Sequence, residues 1–280
     1  MFAFALWIER EQKLILGRDR FGKKPLFYHI DKNGLKFASE AKALKSLDVH
    51  FEVNHEAVIN YIFEITIGKN EQSFFKNIQQ IKNGSLVYYS ISHEGKIVQE
   101  KVEQYWHYPQ KARKIKYQEA VEEFRNLLTD AVNTRLAEEV DYAVMISGGL
   151  DSSSVASFAA KYNSSKSITS ISAVYPGDEK DESYFAKLVT DKYSNLNPIW
   201  VDDINHEKFH ENVNDVIYHL ESPIADGSLI AQHILMKKIR EKGIKVILSG
   251  NGGDEVLAGY PTIFLPAYEL EEWKNGKFSF

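Results

Sequence analysis

The chain has 280 residues, 44% of them hydrophobic, with a formal net charge of −5 and no cysteine. That length and apolar content allow one large or two ordinary globular domains with a sizeable core. The charge gives no electrostatic footprint for nucleic acid or an anionic membrane, no apolar run reaches the roughly 18 residues of a spanning helix, and disulfides, thiolate metal sites and cysteine nucleophiles are excluded from these residues.

The opening MFAFALWIER alternates like a strand, lacks a basic n-region and meets Glu9 and Arg10 at once, so it does not read as a signal peptide. A chain that begins inside a strand is expected to be a piece of a longer one. KLILGRD, PLFYHI, LKFAS and SLVYYSI read as further short strands, separated by turn signals at Lys32-Asn33-Gly34 and Lys82-Asn83-Gly84. Two helices interrupt them: one from Ser39 towards Leu47, and one N-capped by Asn54 that carries Val58, Ile59 and Ile62. Residues 1–108 are expected to be antiparallel β with helices. Arg18 and Asp19 are expected to pair, with Gly22 and Pro25 shaping a turn.

The rhythm changes near residue 115, after a charged stretch, HYPQKARKIK, that reads as a linker. Val121, Phe124, Leu128, Ala131 and Val132 recur at helical spacing. YAVMI then reads as a buried strand, and Val155, Phe158, Ala159 and Tyr162 mark a helix. SITSISAVY is a second strand and DESYFAKLVTDKY a helix. PIWVDD is a third strand, followed by helices carrying Phe209, Val213, Val216, Ile217 and Leu220, then Ile230, Ile234 and Ile239. IKVILSG is a fourth strand. Alternating strand and helix predicts a mostly parallel sheet covered on both faces.

MISGGLDSSS, residues 145–154, joins a strand to a helix. A glycine-rich loop there presents backbone N–H groups in a concave array, and the helix N-terminus adds free donors and partial positive charge. The combination favours phosphate or pyrophosphate. Gly148 and Gly149 allow close approach of the anion, and Ser147, Ser152 and Ser153 can donate as well. Asp151 would repel phosphate unless Mg²⁺ lies between them. The loop has no G-x-x-x-x-G-K-[ST] pattern and is not a Walker A motif. LSGNGGDE, residues 248–255, is a second glycine loop after a strand. The lone histidines (His29, His107, His219, His233) show no metal spacing and read as surface or packing residues. Arg135, Lys237, Lys238 and Lys245 read as solvated charges.

These segments resemble a known family. SGGLDSS is similar to the pyrophosphate loop of the ATP pyrophosphatases, which split ATP between the α and β phosphates. EAVEEFRNLLTDAVNTRL, YAVMISGGLDSSSVA, YPGDEKDESYFAKLV, HLESPIADGSLI and VILSGNGGDEVLAGY together resemble the synthetase domain of glutamine-hydrolysing asparagine synthetases. FAFALWI, LGRDRFGKKPLFY and FASEAKAL resemble the later part of that family's N-terminal glutaminase domain. The likeness covers nearly the whole chain. It implies an α+β then α/β architecture: the C-terminal part of an Ntn-type antiparallel β glutaminase domain over residues 1–108, then an incomplete parallel-sheet ATP-pyrophosphatase domain over residues 109–280. It further implies that the fourth strand lies beside the first, so that both glycine loops face one ligand.

The resemblance implies ATP-dependent conversion of aspartate to asparagine through β-aspartyl-AMP, with ATP and Mg²⁺ as cofactors and glutamine or ammonia as nitrogen donor. ATP and pyrophosphate would contact Ser147, Gly148, Gly149, Asp151, Ser152, Ser249 and Gly250. Met145 and Ala173 match positions that line the adenine pocket, and Asp151 with Asp254 would hold the metal. No nucleic acid or membrane partner is implied. A homodimer is the assembly to test for, and a cytoplasmic setting is expected.

Three features depart from the family. Residue 1 is Met and cysteine is absent, so the strands bearing the glutaminase nucleophile would precede Met1, and GRDRFGKKPL reads as a structural remnant. Asn251 stands where the family commonly carries a glutamate, and an amide cannot act as a base near neutral pH. The chain stops at Phe280, before the further helices and lysine of the family's synthetase domain, so it is expected to be a fragment. A related acyl-adenylating enzyme that forms a lactam or peptide, and a nucleotide-binding remnant without catalysis, stay open as alternatives.

Overall fold

The structure, a computed structural model, describes residues 1–64, 71–92, 95–109, 113–136, 140–224 and 226–274. The chain forms two compact units, residues 1–113 with 217–225, and residues 114–216 with 226–280.

In the first unit, β1 (Ala3–Ile8), β2 (Lys13–Arg18), β3 (Phe27–Asp31) and β4 (Gly34–Ala38) fall on the predicted strands. They are followed by α1 (His55–Glu64), β5 (Gln79–Gln80), β6 (Ser85–Ile91) and β7 (Ile97–Gln104). Two antiparallel sheets result, in the orders β1-β2-β6-β7 and β4-β3-β5. Leu16, Val87 and Tyr89 of the first sheet meet Leu26 and Ile81 in one core, with Tyr28 and Leu35 of the second packed against it. A second core joins Phe27 and Ile78 to Ala41, Leu44 and Val49.

The helix expected from Ser39 is a 3₁₀ helix over Ala41–Leu47. Three residues per turn stack Ala41 directly on Leu44, and both are fully buried. Asn54 caps α1 as expected, its Oδ1 accepting the Ala57 N–H at 3.3 Å. β7 was not anticipated. Its residues, IVQEKVEQ, are almost all exposed at a sheet edge, so no apolar alternation marks it.

Arg18 and Asp19 do not pair through their side chains; each is satisfied by other groups. The Arg18 guanidinium donates to the carbonyls of Gly22, Lys24 and Ile81 and to Gln80 Oε1, at 2.8–3.0 Å. The Asp19 carboxylate accepts the N–H groups of Phe2, Phe21, Lys23 and Lys24 at 3.0–3.2 Å. The tight 19–24 turn supplies backbone donors closer to the carboxylate than any guanidinium.

Residues 217–225 are bound into this first unit. The Glu221 carboxylate accepts the N–H of Ala41 at 2.8 Å and that of Lys42, capping the 3₁₀ helix. Tyr61 Oη donates to the Pro223 carbonyl at 2.9 Å.

The second unit contains α2 (Tyr117–Asn133), β8 (Tyr142–Met145), α3 (Leu150–Tyr162), β9 (Ile168–Ala173), α4 (Ser183–Lys192) and β10 (Leu196–Val201). It continues with α5 (His206–Leu220), whose last turn counts with the first unit, α6 (Ser228–Glu241), β11 (Val246–Leu248), α7 (Gly253–Leu257) and α8 (Pro261–Lys274). The sheet is parallel throughout, in the order β10-β9-β8-β11. Pro198 lies on the edge strand β10, where a missing N–H costs least. One face of the sheet, with Tyr142, Val144, Ile146 and Ile168, packs on Val132, Ala156, Ala159 and Ala186 from α2, α3 and α4. The buried Ile230, Ile234 and Ile239 of α6 stand outside that cluster and cover β9 from the other side. The architecture is α+β then α/β: two antiparallel sheets with helices, followed by a four-stranded parallel sheet covered by helices.

Candidate active site

The chain leaves β8 outward to β9 and β10, then returns to β11 on the other side of β8. The strand order therefore reverses between β8 and β11, and the crevice at their carboxyl ends is where ligands bind in open α/β sheets. The register pairs Leu248 with Val144, which sets Ser249 level with Met145 and brings the two glycine loops side by side.

The first loop is knitted by its own hydroxyls. Ser152 Oγ accepts the Ser147 N–H at 3.1 Å, lies 2.9 Å from Ser147 Oγ and donates to the Gly149 carbonyl at 3.2 Å. Ser147 Oγ accepts the Gly149 N–H at 3.3 Å. Ser152 is buried, so its hydroxyl braces the loop in this conformation. Gly148 has φ +105°, which favours glycine, and the Glu182 carbonyl packs against it. α3 begins at Leu150 and aims its unsatisfied N–H groups at the same crevice.

The second loop rests on the first. A Cβ on Gly250 would lie 2.5 Å from Ser152 N and 2.9 Å from Asp151 C and Ser152 Cα. A Cβ on Gly253 would strike the Asp151 carboxylate itself. Gly252 turns the chain at φ +100°, and α7 follows with Asp254 and Glu255 in its first turn. Burial, and then the charges of Asp254 and Glu255, raise the Asp151 carboxyl above its ordinary pKa. Among the described residues no cation offsets these acidic neighbours of Asp151. Tyr260 Oη donates to Glu255 Oε1 at 3.0 Å, and that bond, burial and the nearby carboxylates raise the phenol's pKa.

Asp151 and Asp254 fit a magnesium ion that keeps its other positions for phosphate oxygens and water. Among the described residues no three His, Cys, Asp or Glu side chains form a ready metal cage. Met145 and Ala173 lie on one sheet face near the carboxyl ends of β8 and β9, two residues apart in register. Both are half-buried, whereas Val144, Ile146 and Ile171 are fully buried, so they border the crevice. Asn251 is exposed in the second loop.

The structure thus gathers Ser147, Gly148, Gly149, Asp151, Ser152, Ser249, Gly250 and Asp254 at one strand-order reversal. Sequence reasoning missed the contact of Gly253 with Asp151, although the glycine run in GNGGDE carried the signal. It also missed Glu182 beneath Gly148, which no local pattern announces. His233, read as a surface or packing residue, and Lys237, read as a solvated charge, both meet Asp215: His233 Nε2 lies 2.9 Å and Lys237 Nζ 3.4 Å from Asp215 Oδ2. Arg135 folds back onto the Ala131 carbonyl at 2.6 Å and is solvated, as read. Among the described residues no helix is long and apolar enough to cross a membrane.

The family model for asparagine synthase matches residues 123–277, and that for the glutamine amidotransferase domain matches residues 1–106. A putative glutamine-hydrolysing asparagine synthetase 2 of Methanocaldococcus jannaschii is 27% identical over 97% of this chain and 51% of its own length. Asparagine synthetase 2 of Bacillus subtilis is 30% identical over 98% of this chain and 38% of its own. Amidase chyE of Penicillium rubens is 31% identical over 92% of this chain and 39% of its own. The chain thus spans about half, or less, of the curated relatives it matches.

Proposed function

The chain belongs to the asparagine synthase family, and from that premise we propose that it takes part in ATP-dependent conversion of aspartate to asparagine through β-aspartyl-AMP, with release of AMP and pyrophosphate. The observation that carries this reading is the packing of the second glycine loop on Asp151 and Ser152 of the first, at a strand-order reversal. Residues 1–108 are read as the C-terminal part of a glutaminase domain and residues 109–280 as the ATP-binding synthetase domain.

In this reading the side-chain carboxylate of aspartate attacks the α-phosphorus of ATP. The bond from that phosphorus to the oxygen bridging the β-phosphate breaks, and pyrophosphate leaves. Ammonia then attacks the acyl carbon, loses a proton and expels AMP. The N–H group of Gly148 and the free N–H groups at the N-terminus of α3 hold the departing pyrophosphate, with Gly149 at its edge donating to Ser147 Oγ and Ser147 and Ser152 keeping the loop in shape. Ser249 and Gly250 hold the nucleotide from the other side, and Met145 and Ala173 border the adenine. Asp151 and Asp254 would hold a magnesium ion, which when bound would supply charge neutralisation at the leaving group. The protein's work is mainly to position two anions against each other. Glutamine or ammonia is the nitrogen donor.

A second reading is favoured by Asn251 and by the likeness to an enzyme called an amidase. The same adenylation would then serve another carboxylate. Pyrophosphate release from ATP and Mg²⁺ is measured with aspartate, with a panel of other carboxylates, and with none. Asparagine synthesis requires aspartate-dependent release that Asp151→Ala abolishes. Release with another carboxylate and none with aspartate would replace aspartate as the acceptor.

A further inference from the structure

The first unit holds a cavity of about 610 Å³ that the reaction above leaves unused. Residues 18–21, 80–83 and 104–108 wall it together with Glu71, and those three segments are fixed from beneath. Arg18, nearly buried, ties the 18–24 turn to Gln80 and Ile81. Asp19 fixes the same turn through the N–H groups of Phe21, Lys23 and Lys24 and ties it to that of Phe2, and its own carbonyl accepts the Gly84 N–H at 3.0 Å. The Gly84 carbonyl accepts the N–H groups of Tyr105 and Trp106 at 2.9 and 3.3 Å, which seats the third segment. Gly84 has φ +64° there, a conformation that suits glycine.

That saturated base carries a wall of another character. The Arg20 guanidinium stands 5.9 Å from the centre of the Trp106 ring, and Lys82 faces the same space. Among the described residues neither has a carboxylate partner. Glu71 is the one acidic side chain in the lining, so the wall is cationic in a chain whose net charge is −5. Trp106 sits edge-on between Phe21, at 5.1 Å and 68°, and Tyr108, at 4.7 Å and 67°. Phe21, on the rim of the cavity, is 51% exposed. Free cations beside exposed ring faces bind oxyanions attached to planar groups: the cations pair with the anion and the rings stack with the plane. The volume suits a small molecule.

We propose that this cavity is a second ligand site, independent of the nucleotide crevice, for a small molecule joining a planar ring to a carboxylate or phosphate. Arg20 and Lys82 bind the oxyanion and Trp106 binds the ring. Calorimetric titration with phenyl phosphate and with phenylacetate distinguishes the two oxyanions. Inorganic phosphate lacks the ring and phenol lacks the charge. At least one ring-bearing oxyanion should bind tenfold or more tightly than both controls. Arg20→Ala and Trp106→Leu should each weaken it at least tenfold, and added salt should weaken it further. Lys82→Gln, at an exposed position away from the Arg18 and Asp19 supports, checks the loss in a variant that keeps the fold. Binding no tighter than phosphate or phenol, or affinity unchanged in Arg20→Ala and Lys82→Gln, would overturn the proposal. Pyrophosphate release does not enter the test, so either reading can fail alone.

Discussion

Gly250→Ala isolates the contact on which the candidate active site rests. Gly250 does not have a positive φ, so alanine adds no backbone strain and acts only through space. Its Cβ would lie 2.5 Å from Ser152 N and 2.9 Å from Asp151 C and Ser152 Cα. Non-bonded carbon contacts settle near 3.5–4.0 Å, so the shortfall is roughly 1 Å. The atoms it meets are backbone at the start of α3 and cannot rotate away. The two loops must therefore separate by about 1 Å. Overpacking of this kind costs about 1–3 kcal/mol of stability. The functional loss should be larger in proportion, because a misplacement of about 1 Å costs on the order of 100-fold in rate. The assay is kcat/KM for pyrophosphate release, with thermal unfolding measured alongside. A variant that keeps kcat/KM within about twofold would show that the chemistry does not need the loops in contact, and the reasoning would fail.

Three further substitutions test other supports. Asp151→Asn removes a carboxylate whose pKa burial, Asp254 and Glu255 raise, so its ionised form opposes folding above that raised value; the ligand-free protein should melt higher than the parent at pH 7, the gain should vanish as pH falls through the raised pKa, and pyrophosphate release should be lost, whereas a lower melting temperature contradicts the like-charge reading. Asp19 is the opposite case: burial pushes its carboxyl up, but four backbone N–H groups outweigh this and hold its pKa below the ordinary value. Its contribution is present above the unfolded carboxyl pKa of about 3.9 and declines as pH falls below that. Asp19→Asn turns an amide NH₂ towards two of those donors, at about 1–3 kcal/mol each, so urea unfolding at pH 7 should show a deficit that shrinks below pH ~4. Glu221→Gln leaves one of two capped N–H groups facing an NH₂, costing about 1–3 kcal/mol; amide exchange at Ala41 and Lys42 should quicken while that of Tyr142–Met145 does not, and equal exchange at all of them would refute the capping role.

The sequence by itself determined most strands and most helices of both halves, because their apolar residues recur at periods that secondary structure alone dictates: Tyr142–Met145 as a continuous buried run, Val155, Phe158, Ala159 and Tyr162 as a helical face. It also marked both glycine loops, since few residues other than glycine tolerate their close approaches. It did not reveal β7, whose exposed edge needs no apolar alternation, nor the 3₁₀ geometry of Ala41–Leu47, which the stacking of Ala41 on Leu44 selects. Pairing was beyond it too. Arg18 and Asp19, adjacent in sequence and opposite in charge, turn to backbone groups that only the folded turn brings near. Glu221 reaches Ala41 across 180 residues, and Gly250 meets Asp151 because β11 chose the edge beside β8. Periodicity is a local property of the chain, whereas the partner of a charge or of a glycine is set by which surfaces the packed sheet leaves adjacent, and only the tertiary structure decides that.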